Sequence, residues 1–169
     1  MSDVTPVSEV DLQRYLGRWY EIRRLPLRWE DEAASDITAT YALSEDGAVR
    51  VDNRCFDKEG EPTQSVGVAK PADETNARLK VSFLPKFIRW IPFTEGDYWI
   101  LKLDPEYQIA LVGTPDRKHL WLLARDPSVP DMTVQSYLAE ARRQDFDLTD
   151  LITPRHTGRE VTDALLAEN

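Results

Sequence analysis

The chain has 169 residues, 30% of them charged and 41% of apolar type, which suits one globular domain with a core large enough to stand without cross-links. A formal net charge of −9 argues against nucleic acid, or an anionic lipid surface, as a broad electrostatic partner. The single cysteine, Cys55, excludes an internal disulfide and a thiolate zinc site and is compatible with a reducing compartment.

The opening Met1-Ser2-Asp3-Val4 has neither a basic nor an apolar leader, and no stretch approaches the roughly 18 to 20 apolar residues of a membrane span. The chain therefore reads as neither secreted nor threaded through a bilayer. A leader already removed would leave the same sequence, so the expected location is cytoplasmic or peripheral to a membrane, or else outer membrane or periplasm.

From Arg18 onward, short β-rich runs alternate with turn residues. Strands are expected at Arg18–Leu25, Ile37–Leu43, Val49–Phe56, Gln64–Ala69, Ala77–Phe83, Tyr98–Leu103, Gln108–Gly113 and Leu120–Arg125. Glu45-Asp46-Gly47 and Lys58-Glu59-Gly60 place a glycine where the backbone must turn to positive φ, and Asp104-Pro105-Glu106 presets another turn. Val49, Val51, Asn53 and Cys55 alternate with Arg50, Asp52 and Arg54, as expected of a strand with one face in water. Eight sequential strands on short links can bury their edges by closing into an up-and-down antiparallel barrel whose interior is wide enough for one small ligand. After Pro130, the residues Val134, Tyr137, Leu138 and Ala141 fall at helical spacing, which predicts one C-terminal α-helix packed on the outside. The domain is expected over residues 9–153. A tail over 154–169 follows, with a helical turn or two near Val161 to Leu166 held weakly if at all.

One connection breaks the pattern. Leu84 to Gly96 carries Phe87, Ile88, Trp90, Ile91 and Phe93 beside Lys86 and Arg89, too apolar for an ordinary loop in water. Counting hairpins places it at the open end of the barrel. It is read as a membrane-docking loop, with a lid over the lumen and a dimer contact as alternatives.

The run Tyr15-Leu16-Gly17-Arg18-Trp19-Tyr20-Glu21-Ile22 resembles the first signature of the lipocalin family. Leu103-Asp104-Pro105-Glu106-Tyr107 resembles its second signature, and Leu120-Trp121-Leu122-Leu123-Ala124-Arg125 its third. Three signatures in order, over residues 9 to 153, identify the chain as a member of the branch that includes bacterial lipocalins, apolipoprotein D and plant temperature-induced lipocalins. Physically, Trp19 on the first strand and Arg125 after the last would meet when the sheet closes, with the guanidinium stacked on indole as a structural floor.

The resemblance implies inward, ligand-contacting positions at Tyr41, Asn53, Cys55, Phe83, Tyr98 and Trp121, with Val51 and Val81 filling the wall. The packing alternative is a solid interior with no cavity. It also implies a non-catalytic carrier or scavenger of a fatty acid, lysophospholipid or related lipid, serving transport or stress protection, as monomer or homodimer. The alternative is an enzyme acting on a lipid or isoprenoid through Cys55, though no neighbouring base in the sequence marks a lowered thiol pKa. No cofactor is expected: His119 and His156 are too few for a metal site, are read as surface residues, and offer no axial ligand for a tetrapyrrole. Glu21 is expected to face inward and to pair with Lys102, and Asp104 to cap the closed-end turn.

Overall fold

A computed structural model describes residues 2–27, 32–83 and 94–168. Eight strands form one closed antiparallel barrel in sequential order: β1 Gly17–Arg24, β2 Ser35–Leu43, β3 Val49–Phe56, β4 Pro62–Pro71, β5 Arg78–Phe83, β6 Thr94–Leu103, β7 Ile109–Gly113 and β8 Leu120–Ala124. Closure is made by β1 pairing with β8, Tyr20 opposite Ala124 and Arg24 opposite Trp121. Among the described residues three helices accompany them: α1 Leu12–Tyr15, α2 Asp131–Arg143 and α3 Asp163–Ala167.

The strands follow the expected runs with shifted ends. The largest shift is at β6, which starts at Thr94 because Thr94 to Asp97 complete the ladder with Phe83 to Lys80. Thr-Glu-Gly-Asp carries little β propensity of its own, so the partner strand decides its conformation. Gly47 and Gly60 adopt φ of 86° and 80° in their hairpins, as their turns require. The loop residues Phe87, Ile88, Trp90, Ile91 and Phe93 lie outside the described residues.

Alternation divides the apolar side chains into two cores. One fills the barrel around Trp19, Tyr41, Val51, Val81, Ile100 and Leu123. The other lies between the outer wall and α2, where Leu120, Leu122 and Ala124 meet Val134, Tyr137, Leu138 and Ala141, the helix face expected from its spacing. Pro130 stands at the N-cap of α2 with no side-chain cap. That start is fixed by proline's preset φ and by Asp131 near the positive end of the dipole.

The C-terminal tail corrects the expectation of weak attachment. Ile152 bridges Arg24 and Arg155 bridges Ser35, so the segment lies along β1 and β2. The Thr157 amide and hydroxyl donate to Asp36 at 2.6 and 2.8 Å, and Arg159 lies 3.9 Å over the Phe56 ring. Arg54 donates to the Val161 carbonyl at 2.9 Å and to Asp163 at 2.6 Å. Covering β3 this way buries Asp52, which sequence alternation assigns to the water face. Burial alone would raise the Asp52 carboxyl, but bonds from Arg54, Gln64 and Arg50 outweigh it and hold the group below its ordinary value. Such long-range polar ties carry no periodicity, so they are invisible in the sequence.

Candidate functional site

The site is the barrel lumen, and its closed end is built first. Asp11 Oδ1 accepts from the Gln13 amide to start α1, whose single turn lies across the barrel end. The backbone takes a positive φ of 103° at Gly17, where an added Cβ would lie 3.2 Å from the Arg125 guanidinium. Both the left-handed backbone and the close approach call for glycine there. Trp19 is fully buried and donates from Nε1 to the Tyr15 carbonyl at 2.9 Å. Arg125 stacks 3.9 Å above the Trp19 ring. It also donates to the carbonyls of Tyr107, Leu16, Arg18, Arg14 and Tyr15 at 2.9 to 3.3 Å.

Asp104 accepts from the amides of Glu106, Gln108 and Ile109 and so closes the β6–β7 turn as expected. Tyr107 from that turn, at φ 57°, takes the Arg14 guanidinium 4.2 Å over its ring and accepts from the Asp11 amide at 2.9 Å. The floor is thus a joint structure of α1, β1, the β6–β7 turn and the end of β8.

Above the floor, Tyr15 and Tyr41 each approach the hydroxyl of Tyr98, at 2.7 and 2.8 Å. Burial pushes all three phenols well above their usual pKa, so they remain protonated and neutral. With Val49, Leu79 and Val81 they surround a void of about 10 Å³, the lower limit for one water. The bottom of the barrel is therefore packed, as the solid-core alternative expects of it.

Higher up the wall changes. Along the inward row of β3, Val49 and Val51 are 3% exposed while Asn53 and Cys55 are only half-buried. The inward row of β4 runs from buried Ala69 and Gly67 to exposed Ser65 and Thr63, and that of β5 from buried Leu79 and Val81 to half-buried Phe83. Three adjacent strands opening in the same direction describe a funnel, narrow at Trp19 and wide at the far end. Gly67 faces the Phe83 ring so closely that a Cβ would lie 2.8 Å from it, which gives the aromatic wall its place.

The eight expected wall positions share this interior. Tyr41, Val51 and Val81 belong to the lumen core, and Phe83, Tyr98 and Trp121 pack against it. Asn53 and Cys55 continue the Val51 row, with Cys55 Sγ 3.1 Å from the Thr63 hydroxyl. Tyr15 and Leu16 were missed as lumen residues; their run carries the first signature, but a one-turn helix leaves no periodicity to read.

Two charge expectations change. Glu21 faces inward opposite Leu123, but its cationic neighbour is Arg24, 3.8 Å away, both side chains being buried. A register shift between Glu21 and Arg23 puts Arg24 on the lumen side opposite Trp121. Lys102 lies outside, 5.0 Å over the Tyr137 ring, because β6 shifts register between Ile100 and Lys102. His156 is half-buried and bonds the Glu21 carbonyl through Nε2 at 2.7 Å, and His119 stacks 6.0 Å from Trp121. Neither is the free surface residue expected. Among the described residues no three His, Cys, Asp or Glu side chains group as metal ligands, and no helix is long and apolar enough to cross a membrane.

Comparison with known proteins agrees with this geometry. A family model described as a lipocalin-like domain matches residues 10–156. Temperature-induced lipocalin-1 of Arabidopsis thaliana is 38% identical over 148 residues, covering 86% of this chain and 78% of that protein. Outer membrane lipoprotein Blc of Escherichia coli K12 is 41% identical over 157 residues, covering 92% and 84%. Bovine apolipoprotein D is 36% identical over 143 residues, covering 80% and 71%. Among solved structures, insecticyanin of the tobacco hornworm Manduca sexta superposes with a TM-score of 0.71 at 21% identity, covering 97% of this chain and 87% of that one. At that identity the likeness speaks for the fold alone. With the family model spanning nearly the whole barrel, and relatives near 40% identity extending over most of the chain, the protein belongs to the lipocalin family, whose members bind small hydrophobic ligands.

Proposed function

We propose that this lipocalin is a non-catalytic carrier or scavenger of a single-chain lipid, a fatty acid, lysophospholipid or related molecule, taken into the upper lumen. The observation that carries the reading is the funnel: inward rows on β3, β4 and β5 pass from buried to exposed in one direction, above a plugged floor. An apolar and aromatic wall with a few polar atoms suits such a ligand. Each buried CH₂ contributes about 0.8 kcal/mol, so only a long acyl chain, with upwards of about ten methylenes buried, approaches micromolar affinity without a dedicated polar contact. Cys55 faces the lumen, but the Thr63 hydroxyl beside it is no base at neutral pH, which favours carriage over thiol chemistry.

Mass spectrometry of an organic extract from natively purified protein tests the reading. About one lipid per barrel is expected. A chain that emerges without lipid, and takes up none from fatty acid or lysophospholipid solutions, would overturn it.

The apolar run Phe87, Ile88, Trp90, Ile91 and Phe93 supports membrane docking at the mouth from sequence alone, and the outer-membrane naming of the Blc relatives is consistent with a membrane-side role. Liposome flotation should be strong for the wild type and weak for Trp90→Ser/Phe93→Ser. Equal flotation would remove the idea.

A further inference from the structure

A groove on the outside of the barrel has no part in carriage through the lumen. It encloses about 580 Å³ between the N-terminal segment, the end of β6, the β6–β7 turn and α2. The register shift in β6 opens it. Ile100 faces the lumen core and Leu101 the α2 core, and after the shift Lys102 lies on the outer side too, 5.0 Å over the Tyr137 ring. Val7, Leu101, Leu103 and Pro105 line the rest of the groove with carbon.

Two polar groups face this space without a protein partner. Tyr137 is only 5% exposed, yet among the described residues its hydroxyl makes no hydrogen bond. Burial, then the charge of Asp104, pushes its phenol up to about 12, so the hydroxyl keeps its proton and remains a donor. Lys102 is half-buried, and among the described residues its ammonium makes no hydrogen bond or ion pair. The other polar groups around the groove are already engaged. Glu140 accepts from Arg143 and Gln144, and Asp104 from the amides of Glu106, Gln108 and Ile109. Arg14 donates to the Pro105 carbonyl and Ser136 to the Thr133 carbonyl. Unused donors beside engaged acceptors call for an occupant that brings acceptor oxygens.

We propose that the groove is a second binding site, separate from the lumen, for a compact amphiphilic monocarboxylate. Its carboxylate lies between the Lys102 ammonium and the Tyr137 hydroxyl, and its apolar body rests on Val7, Leu101 and Pro105. A cationic ligand fits poorly, because both carboxylates have their donors and Lys102 repels it. A phosphate monoester fits poorly for the opposite reason: nearly two negative charges would meet one ammonium flanked by Asp104 and Glu140. The groove is open to water, so these bonds are screened and the affinity is modest, on the order of 1 mM.

The test titrates 3-phenylpropionate, and 3-phenylpropan-1-ol as its uncharged counterpart, into the isotope-labelled full chain. Val7 and Leu101 methyl signals and the Ser136 amide report the groove, and Val51 and Val81 methyls report the lumen. The acid should move the groove signals saturably. It should lose about fivefold in affinity in Lys102→Met, which keeps the stem and removes the charge, and about as much in Tyr137→Phe. The alcohol should change less than about twofold in Lys102→Met. Lys102 is only half-buried, so its variant decides the matter even where Tyr137→Phe does not fold. Groove signals that ignore the acid, or an acid and an alcohol weakened alike by Lys102→Met, overturn the proposal. Groove signals that move on protein dilution and not with the acid assign the groove to a second copy of the chain and overturn it too. None of these outcomes touches the carrier reading, which lipid extraction and the lumen signals test on their own.

Discussion

Arg125→Ala is expected to destabilise the protein by about 3 to 5 kcal/mol, the sum of a lost stack and several carbonyls left without their donor. The side chain is a stack and a clasp at once. Its guanidinium covers the buried Trp19 ring at 3.9 Å and bonds five carbonyls drawn from α1, the start of β1 and the β6–β7 turn. Burial lowers the Arg125 pKa, and nearby phenols and Asp104 oppose that shift without cancelling it, so the charge is held at a real desolvation cost. Truncation removes the stack, worth roughly 0.5 to 2 kcal/mol, and leaves several half-buried carbonyls without a donor. For a chain of this size the melting temperature should fall by roughly 6 to 15 °C. Arg125→Lys should restore less than half of that, since a compact ammonium cannot span five acceptors and lie flat on an indole. A loss under about 1 kcal/mol by calorimetry, or full rescue by lysine, would show that the floor stands without the guanidinium.

The second large effect is on binding. Cys55→Trp places an indole on the inward row of β3 where the wall is only half-buried, so the ring has space to lie across the funnel. Excluding three or four methylenes of an acyl chain costs about 0.8 kcal/mol each, which predicts a loss of about 100-fold in affinity for a long-chain lipid. Arg50→Trp, at an exposed position on the outward row of the same strand, should change affinity less than about twofold. Cys55→Ala should also bind normally, because a carrier needs space at that position and not a thiol. Titration with a fluorescent fatty acid reads all three. Equal binding by Cys55→Trp and wild type would place the ligand outside the barrel.

The parts legible in the sequence were those with a period or a fixed chemical partner. Alternation in β3 sorted Val51 from Arg50, and in β8 it sent Trp121 and Leu123 inward and Leu122 outward to α2. The Trp19 and Arg125 stack followed from closure, since first and last strands must adjoin. What escaped was set by register. A one-residue shift in β1 brings Arg24 to the lumen, and another in β6 turns Lys102 away from it; neither leaves a mark in composition. Tyr15 was hidden for a related reason: a single helical turn is too short to show a face, yet it completes the phenol cluster. The tail was the plainest miss, being tied by side chains of β2 and β3 far away in the chain.

Bracing of the floor also bears on what happens when the vessel is vacant. Trp19, Arg125 and the Asp104 turn knit the narrow end from the chain's own groups, so cargo is not a structural member. On the carrier reading, loading and discharge at the wide end proceed with the frame intact, and a depleted form keeps its shape for the next molecule.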